Sequence, residues 1–124
     1  MGAVLVKDRR ILATGYNGAP TGLPQCDEVG CEVYAGHCTR AVHAELNALL
    51  QCARFGVAAQ GAVLYTSHAP CVDCAKSLVM AAISEVHYKQ GYADNRGEPL
   101  LLLQGAGVAV FPAATSSFSS EGEP

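Results

Sequence analysis

Two short runs of branched apolar residues, GAVLV and ILATGY, open the chain, and from Ala44 onward helical stripes and strand-like runs alternate three times. The charged KDRR between the first two runs, Lys7 to Arg10, predicts a hairpin turn and therefore an antiparallel pair. Leu46, Leu49, Leu50 and Ala53 fall at i, i+3, i+4 and i+7, the stripe of an amphipathic helix that Gly56 would end. GAVLYTS then reads as a buried strand, Cys71 to Ile83 as a helix, and EVHY as a strand. EPLLLLQ reads as a short helix stopped by GAG, and VAVF as a last strand. The order ββαβαβαβ predicts an α/β fold: a central mixed five-stranded sheet, its later strands parallel, with helices packed on its faces.

The segment from NGAPTGLP to about Thr39 is rich in Gly, Pro and Cys and shows little periodicity, so it reads as a long loop. Long loops inside compact domains tend to carry function, and this one holds Cys26, Cys31 and Cys38. At 124 residues the chain has room for one packed domain, placed at residues 1–111. Residues 112–124 are small, polar and non-periodic, the composition of a flexible tail. There is no export signal and no apolar run near the length of a membrane span, which leads to the expectation of a cytoplasmic protein.

Six cysteines would suggest a disulfide framework in an exported chain; without an export signal, metal binding or catalysis is their better use. The net charge of −3 offers no basic face for a nucleic-acid polymer. A small substrate is favoured.

PCVDC, Pro70 to Cys74, places two thiols three apart behind a proline that suits a helix start. Such a pair is a redox disulfide, half of a metal site, or two buried apolar residues. Its partner is HAE, His43 to Glu45, at the start of the preceding helix. Helix starts follow the carboxyl ends of strands, where open sheets place their ligands, so the two segments can meet. One His and two Cys suit tetrahedral zinc with a fourth position left for water. Residues two apart on a regular helix face nearly opposite ways, so His43 must stand at the helix entrance if it and Glu45 are both to face the metal.

HAE followed by PCVDC matches the H-x-E…P-C-x-x-C signature of zinc-dependent nucleotide and nucleobase deaminases. From Gly2 to about Val110 the chain resembles the deoxycytidylate (dCMP) deaminase family, which includes late-competence operon members of bacteria. The resemblance implies the three-layer cytidine deaminase-like fold, with His43, Cys71 and Cys74 on zinc and Glu45 moving protons. It implies hydrolysis of dCMP to dUMP and ammonia, a supply for thymidylate synthesis. It also implies a backbone N–H from Ala44 toward the base. Asn17 and Tyr92 are the candidates for the sugar and phosphate, and Arg54, Lys76 and Arg96 are further cations for a monophosphate. Homo-oligomers with dCTP and dTTP as effectors are common in the family. The resemblance implies a helix ahead of GAVLV; the sequence opens without it, so the expectation is of a truncated chain or an unusual start, with one layer covering the sheet lost.

Cys26, Cys31, His37 and Cys38 resemble a loop that in some relatives binds a second, structural zinc; the alternative is unpaired thiols in a surface loop. Cys52 reads as core, and His68 and His87 as structural. Two other readings compete. One is a deaminase of tRNA adenosine or free cytosine, the first lacking its basic surface. The other is a non-catalytic zinc module closed by a thiol such as Cys38, in which Glu45 would have no use.

Overall fold

The computed structural model describes residues 1–24, 33–34, 37–38, 41–91 and 98–113. Strands β1 (Gly2–Lys7) and β2 (Arg10–Tyr16) form the opening antiparallel hairpin. Its turn residues Asp8 and Arg9 have φ of 53° and 65°. Paired left-handed residues give the tight turn whose twist matches that of the flanking strands.

The segment expected to be one long loop contains two two-residue strands, β3 (Val33–Tyr34) and β4 (His37–Cys38), paired antiparallel apart from the main sheet. Next come α1 (Ala44–Phe55), β5 (Val63–His68), α2 (Val72–Met80), β6 (Glu85–Gln90), α3 (Pro99–Gly105) and β7 (Ala109–Pro112). Gly56 ends α1 in the left-handed conformation, at φ 70°, as a glycine after a last helical turn commonly does.

The main sheet is mixed and five-stranded, in the order β2-β1-β5-β6-β7, with β5, β6 and β7 parallel. β1 runs antiparallel to both β2 and β5, so β2 and β5 point the same way. Each of the three crossovers, through α1, α2 and α3, therefore joins parallel strands and steps in one direction along the sheet. Right-handed crossovers that step in one direction deliver their helices to one face. Burial agrees: Leu5, Leu64 and Val86, in cross-strand register, share one core with Ala48, Leu78 and Leu103 of the helices. Each large apolar side chain buried there contributes roughly 1.5–3 kcal/mol. On the opposite face Tyr65, His87 and Phe111 form a row in register, their rings stacked with centroids 4.8 Å apart.

The apolar stripe read from the sequence marks α1 correctly as a helix but not its buried face. Leu50 and Ala53 are exposed, while Ala44, Ala48 and Cys52 are buried. The reason is proximity. A Cβ placed on Gly15 of β2 would lie 2.1 Å from the Ala44 carbonyl oxygen and 2.7 Å from the Ala48 nitrogen. Strand and helix touch backbone to backbone, so only small residues fit between them, as a glycine inside a strand can signal.

Candidate active site

His43 is the N-cap of α1, with φ −64° and ψ 151°. It stands in extended backbone and the helix begins after it, so the imidazole and the Glu45 carboxylate are freed from the opposition that regular helical spacing would impose. Cys71 occupies the equivalent position before α2, with φ −74° and ψ 174°, and Cys74 lies in that helix's first turn. Both helices start where β-structure ends at one edge of the sheet, the place where α/β folds gather their ligands.

The His43 Nδ1 atom lies 3.5 Å from Cys71 Sγ and 3.4 Å from Cys74 Sγ. All three donor atoms fall within 4.8 Å of one another. Tetrahedral zinc, with Zn–N near 2.0–2.1 Å and Zn–S near 2.3 Å, sets a nitrogen–sulfur edge of about 3.6 Å. The donor set therefore fits zinc in both chemistry and spacing. Among the described residues it has three members, the number that catalytic zinc sites take from the protein, and Glu45 is not one of them.

Electrostatics point the same way. A hydrogen bond from Cys74 holds the Cys71 thiol down to about 4, with His43 assisting against the cost of burial. Cys74 is pushed up in turn because it donates that bond, and burial and Glu45 add to the effect. Glu45 is only 5% exposed. Burial pushes its carboxyl up from the usual carboxylate range, and its own backbone N–H and His43 pull the other way. A raised carboxyl can hold a proton as well as release one, which is what a proton carrier needs.

A cleft of about 260 Å³ opens over the donors, lined by Val42, His43, Leu46, Cys71, Cys74 and Ser77. A larger cleft of about 340 Å³ lies beside Tyr16, Thr21, Asn47, Gln51 and Arg54 and holds none of the metal donors.

Residues 1–90 match the cytidine and deoxycytidylate deaminase zinc-binding region. The chain belongs to the cytidine and deoxycytidylate deaminase family. This family member is 44% identical over 110 residues to ComE operon protein 2 of Bacillus subtilis, a match covering 89% of this chain and 58% of the relative. It is 39% identical over 116 residues to the deoxycytidylate deaminase of Saccharomyces cerevisiae, covering 89% of this chain and 36% of that protein. The chain thus spans little more than half of the first relative's length and about a third of the second's. The crystal structure of the cyanophage S-TIM5 dCMP deaminase, in complex with dCMP and dUMP, superposes with a TM-score of 0.78 at 34% identity. That match covers 90% of this chain and 79% of the phage enzyme. A zinc-binding deaminase domain with a mixed five-stranded sheet is what sequence, fold and donor geometry share.

The other candidates fall in different places. Asn17 and Ala44 meet each other: the Ala44 backbone N–H donates to Asn17 Oδ1 at 2.9 Å. Asn17 Nδ2 donates to the weak acceptor Met1 Sδ at 3.6 Å. Cys52 is buried in the core, as expected. His68 pairs through Nδ1 with Ser67 Oγ at 3.0 Å and lies outside the donor cluster. His87 is held between Tyr65 and Phe111 and against Glu85. Arg54 lies over the Phe55 ring, and Lys76 pairs with Asp73 at the surface. Cys26, Cys31, Tyr92, Arg96 and the side chains of His37 and Cys38 lie outside the described residues, and so does the tail from residue 114. Sequence reasoning missed Gly15 and Asn47, whose Nδ2 donates to the Tyr16 carbonyl at 2.8 Å. No helix among the described residues is long and apolar enough to cross a membrane.

Proposed function

We propose that the chain hydrolyses dCMP to dUMP and ammonia. The observation that carries this reading is the buried Glu45 carboxyl placed two residues after a member of a His43, Cys71 and Cys74 donor set with zinc spacing. When bound there, zinc supplies activation of water at neutral pH. Glu45 accepts the proton that this water gives up as it adds to C4 of the pyrimidine and passes it to N3. Glu45 then takes the proton of the new C4 hydroxyl and hands it to the amino group, so that the carbonyl forms as the C4–N bond breaks, and one water enters as one ammonia leaves. Glu45 is suited to both transfers because burial raises its carboxyl.

Asn17 offers two groups with separate tasks. Its Oδ1 is committed to Ala44, while its Nδ2 faces a sulfur that a sugar or phosphate oxygen would displace as the better acceptor. The Ala44 N–H, being bonded to Asn17, reaches a base only if that bond opens or is shared. Tyr92 is retained as a substrate contact, and Cys26, Cys31, His37 and Cys38 as a second zinc set. Residues 1–111 act as the deaminase domain of a cytoplasmic homo-oligomer open to dCTP and dTTP. The likeness to a phage dCMP deaminase solved with dCMP and dUMP supports dCMP over other bases.

Ammonia release from dCMP, deoxycytidine, cytosine and adenosine, measured on the zinc-loaded protein, tests the proposal. Turnover of dCMP above the other three is the expected result. Preferred turnover of another compound reassigns the substrate, and silence on all four overturns the reading.

A further inference from the structure

The end of β2 and the start of α1 are tied by side-chain bonds running in both directions. From the bend just after the strand, Asn17 Oδ1 accepts the Ala44 N–H at 2.9 Å; from the helix, Asn47 Nδ2 donates to the Tyr16 carbonyl at 2.8 Å. Between them Gly18 and Val42 exchange both backbone hydrogen bonds, at 3.2 and 2.7 Å. Gly15 completes the junction through its backbone contact with Ala44 and Ala48. His43 and Glu45 sit inside this short stretch.

The arrangement answers a local deficit. A helix start leaves backbone N–H groups without partners, and an N-cap side chain ordinarily accepts one of them. His43, facing the cysteines, makes no such cap bond in α1. Asn17 supplies the acceptor from another element, 27 residues away in sequence. Where α1 begins, and hence how Glu45 stands relative to the metal donors, is therefore set by the residues that leave β2.

We propose that Asn17 and Asn47 form a reciprocal clasp and that Asn47 is a positioning residue for Glu45. Its catalytic consequence rests on the deaminase reading; its structural basis does not. Misplacement of a reacting group by about 1 Å can cost on the order of 100-fold in rate, so a loosened clasp acts on turnover before it acts on folding.

The sharpest variant is Asn47→Asp in the full zinc-loaded chain. It keeps the shape, removes the donor to Tyr16, and puts a negative charge near a helix N-terminus, where charge of that sign supports the helix. The expected result is kcat lower by about tenfold or more, KM within about twofold, zinc content equal to wild type, and faster amide hydrogen exchange over residues 44–47. Asn17→Ala should speed exchange at Ala44, and Asn17→Asp, which keeps the acceptor, should restore protection there. Unchanged exchange in Asn47→Asp and Asn17→Ala overturns the clasp. Faster exchange with unchanged kcat, or a fall in kcat matched by lost zinc, overturns the positioning role. If wild-type protein deaminates none of the four compounds, the deaminase reading fails while the exchange measurements still decide the clasp.

Discussion

Gly15 and Ala44 are in backbone contact: any side chain at residue 15 would collide with the Ala44 carbonyl oxygen, 2.1 Å from the position of a Cβ. The oxygen belongs to a helix and cannot swing aside as a flexible side chain would. Gly15→Ala should therefore push α1 away from β2 and destabilise the fold by about 1–3 kcal/mol or more, the cost of overpacking a filled interior. Urea unfolding at matched zinc occupancy measures this, and a midpoint equal to wild type would show that helix and strand separate freely.

Among the described residues Glu45 stands outside the donor set of His43, Cys71 and Cys74, so its loss should spare the metal. Glu45→Gln keeps the shape and removes the proton carrier. Turnover should fall by about 10²–10⁴-fold, the range of general acid–base catalysis, with zinc content by atomic absorption unchanged. Retained activity would mean that protons move by another route.

Cys74 stands at the other extreme. Cys74→Ser removes one of three donors spaced for zinc. Metal binding to a folded site contributes directly to folding, so dialysed Cys74→Ser should lack zinc and melt at a lower temperature than wild type. Strong chelation of wild type should move its melting temperature in the same direction. Full zinc retention by the variant would remove Cys74 from the site.

The hairpin offers a gain. Arg9 sits at φ 65°, in the left-handed region that disfavours side chains with a Cβ. Arg9→Gly matches the Asp-Gly sequence preferred in this turn and should stabilise the protein by up to about 1 kcal/mol. A lower unfolding midpoint would show that Arg9 makes a compensating contact.

Which parts of this structure were legible in the sequence follows from how local their causes are. The helix at 44–55 was readable from its period, and its end from Gly56, because both are matters of one element. Its buried face was not, since Leu49 and Leu50 look more apolar than Ala48 until the closeness of β2 is known. His43, Cys71, Cys74 and Glu45 could be picked out because zinc chemistry demands those residue types at constrained spacings. Asn47 could not, because an asparagine on a helix reads as a solvated side chain, and its partner lies 31 residues away. The signal that could have pointed to the junction, and was not used, was the glycine inside ILATGY. The short pair β3 and β4 left no trace, being too brief for alternation to register.

The strand that leads into Asn17 is also the outermost strand of the sheet among the described residues, hydrogen-bonded there to β1. Marginal strands open more readily than central ones, with local unfolding free energies well below the global value. Of the three metal donors, only His43 is reached through that rim; Cys71 and Cys74 follow β5, an inner strand. Conditions that leave the core of Leu5, Leu64 and Val86 intact can still blur the geometry around Glu45.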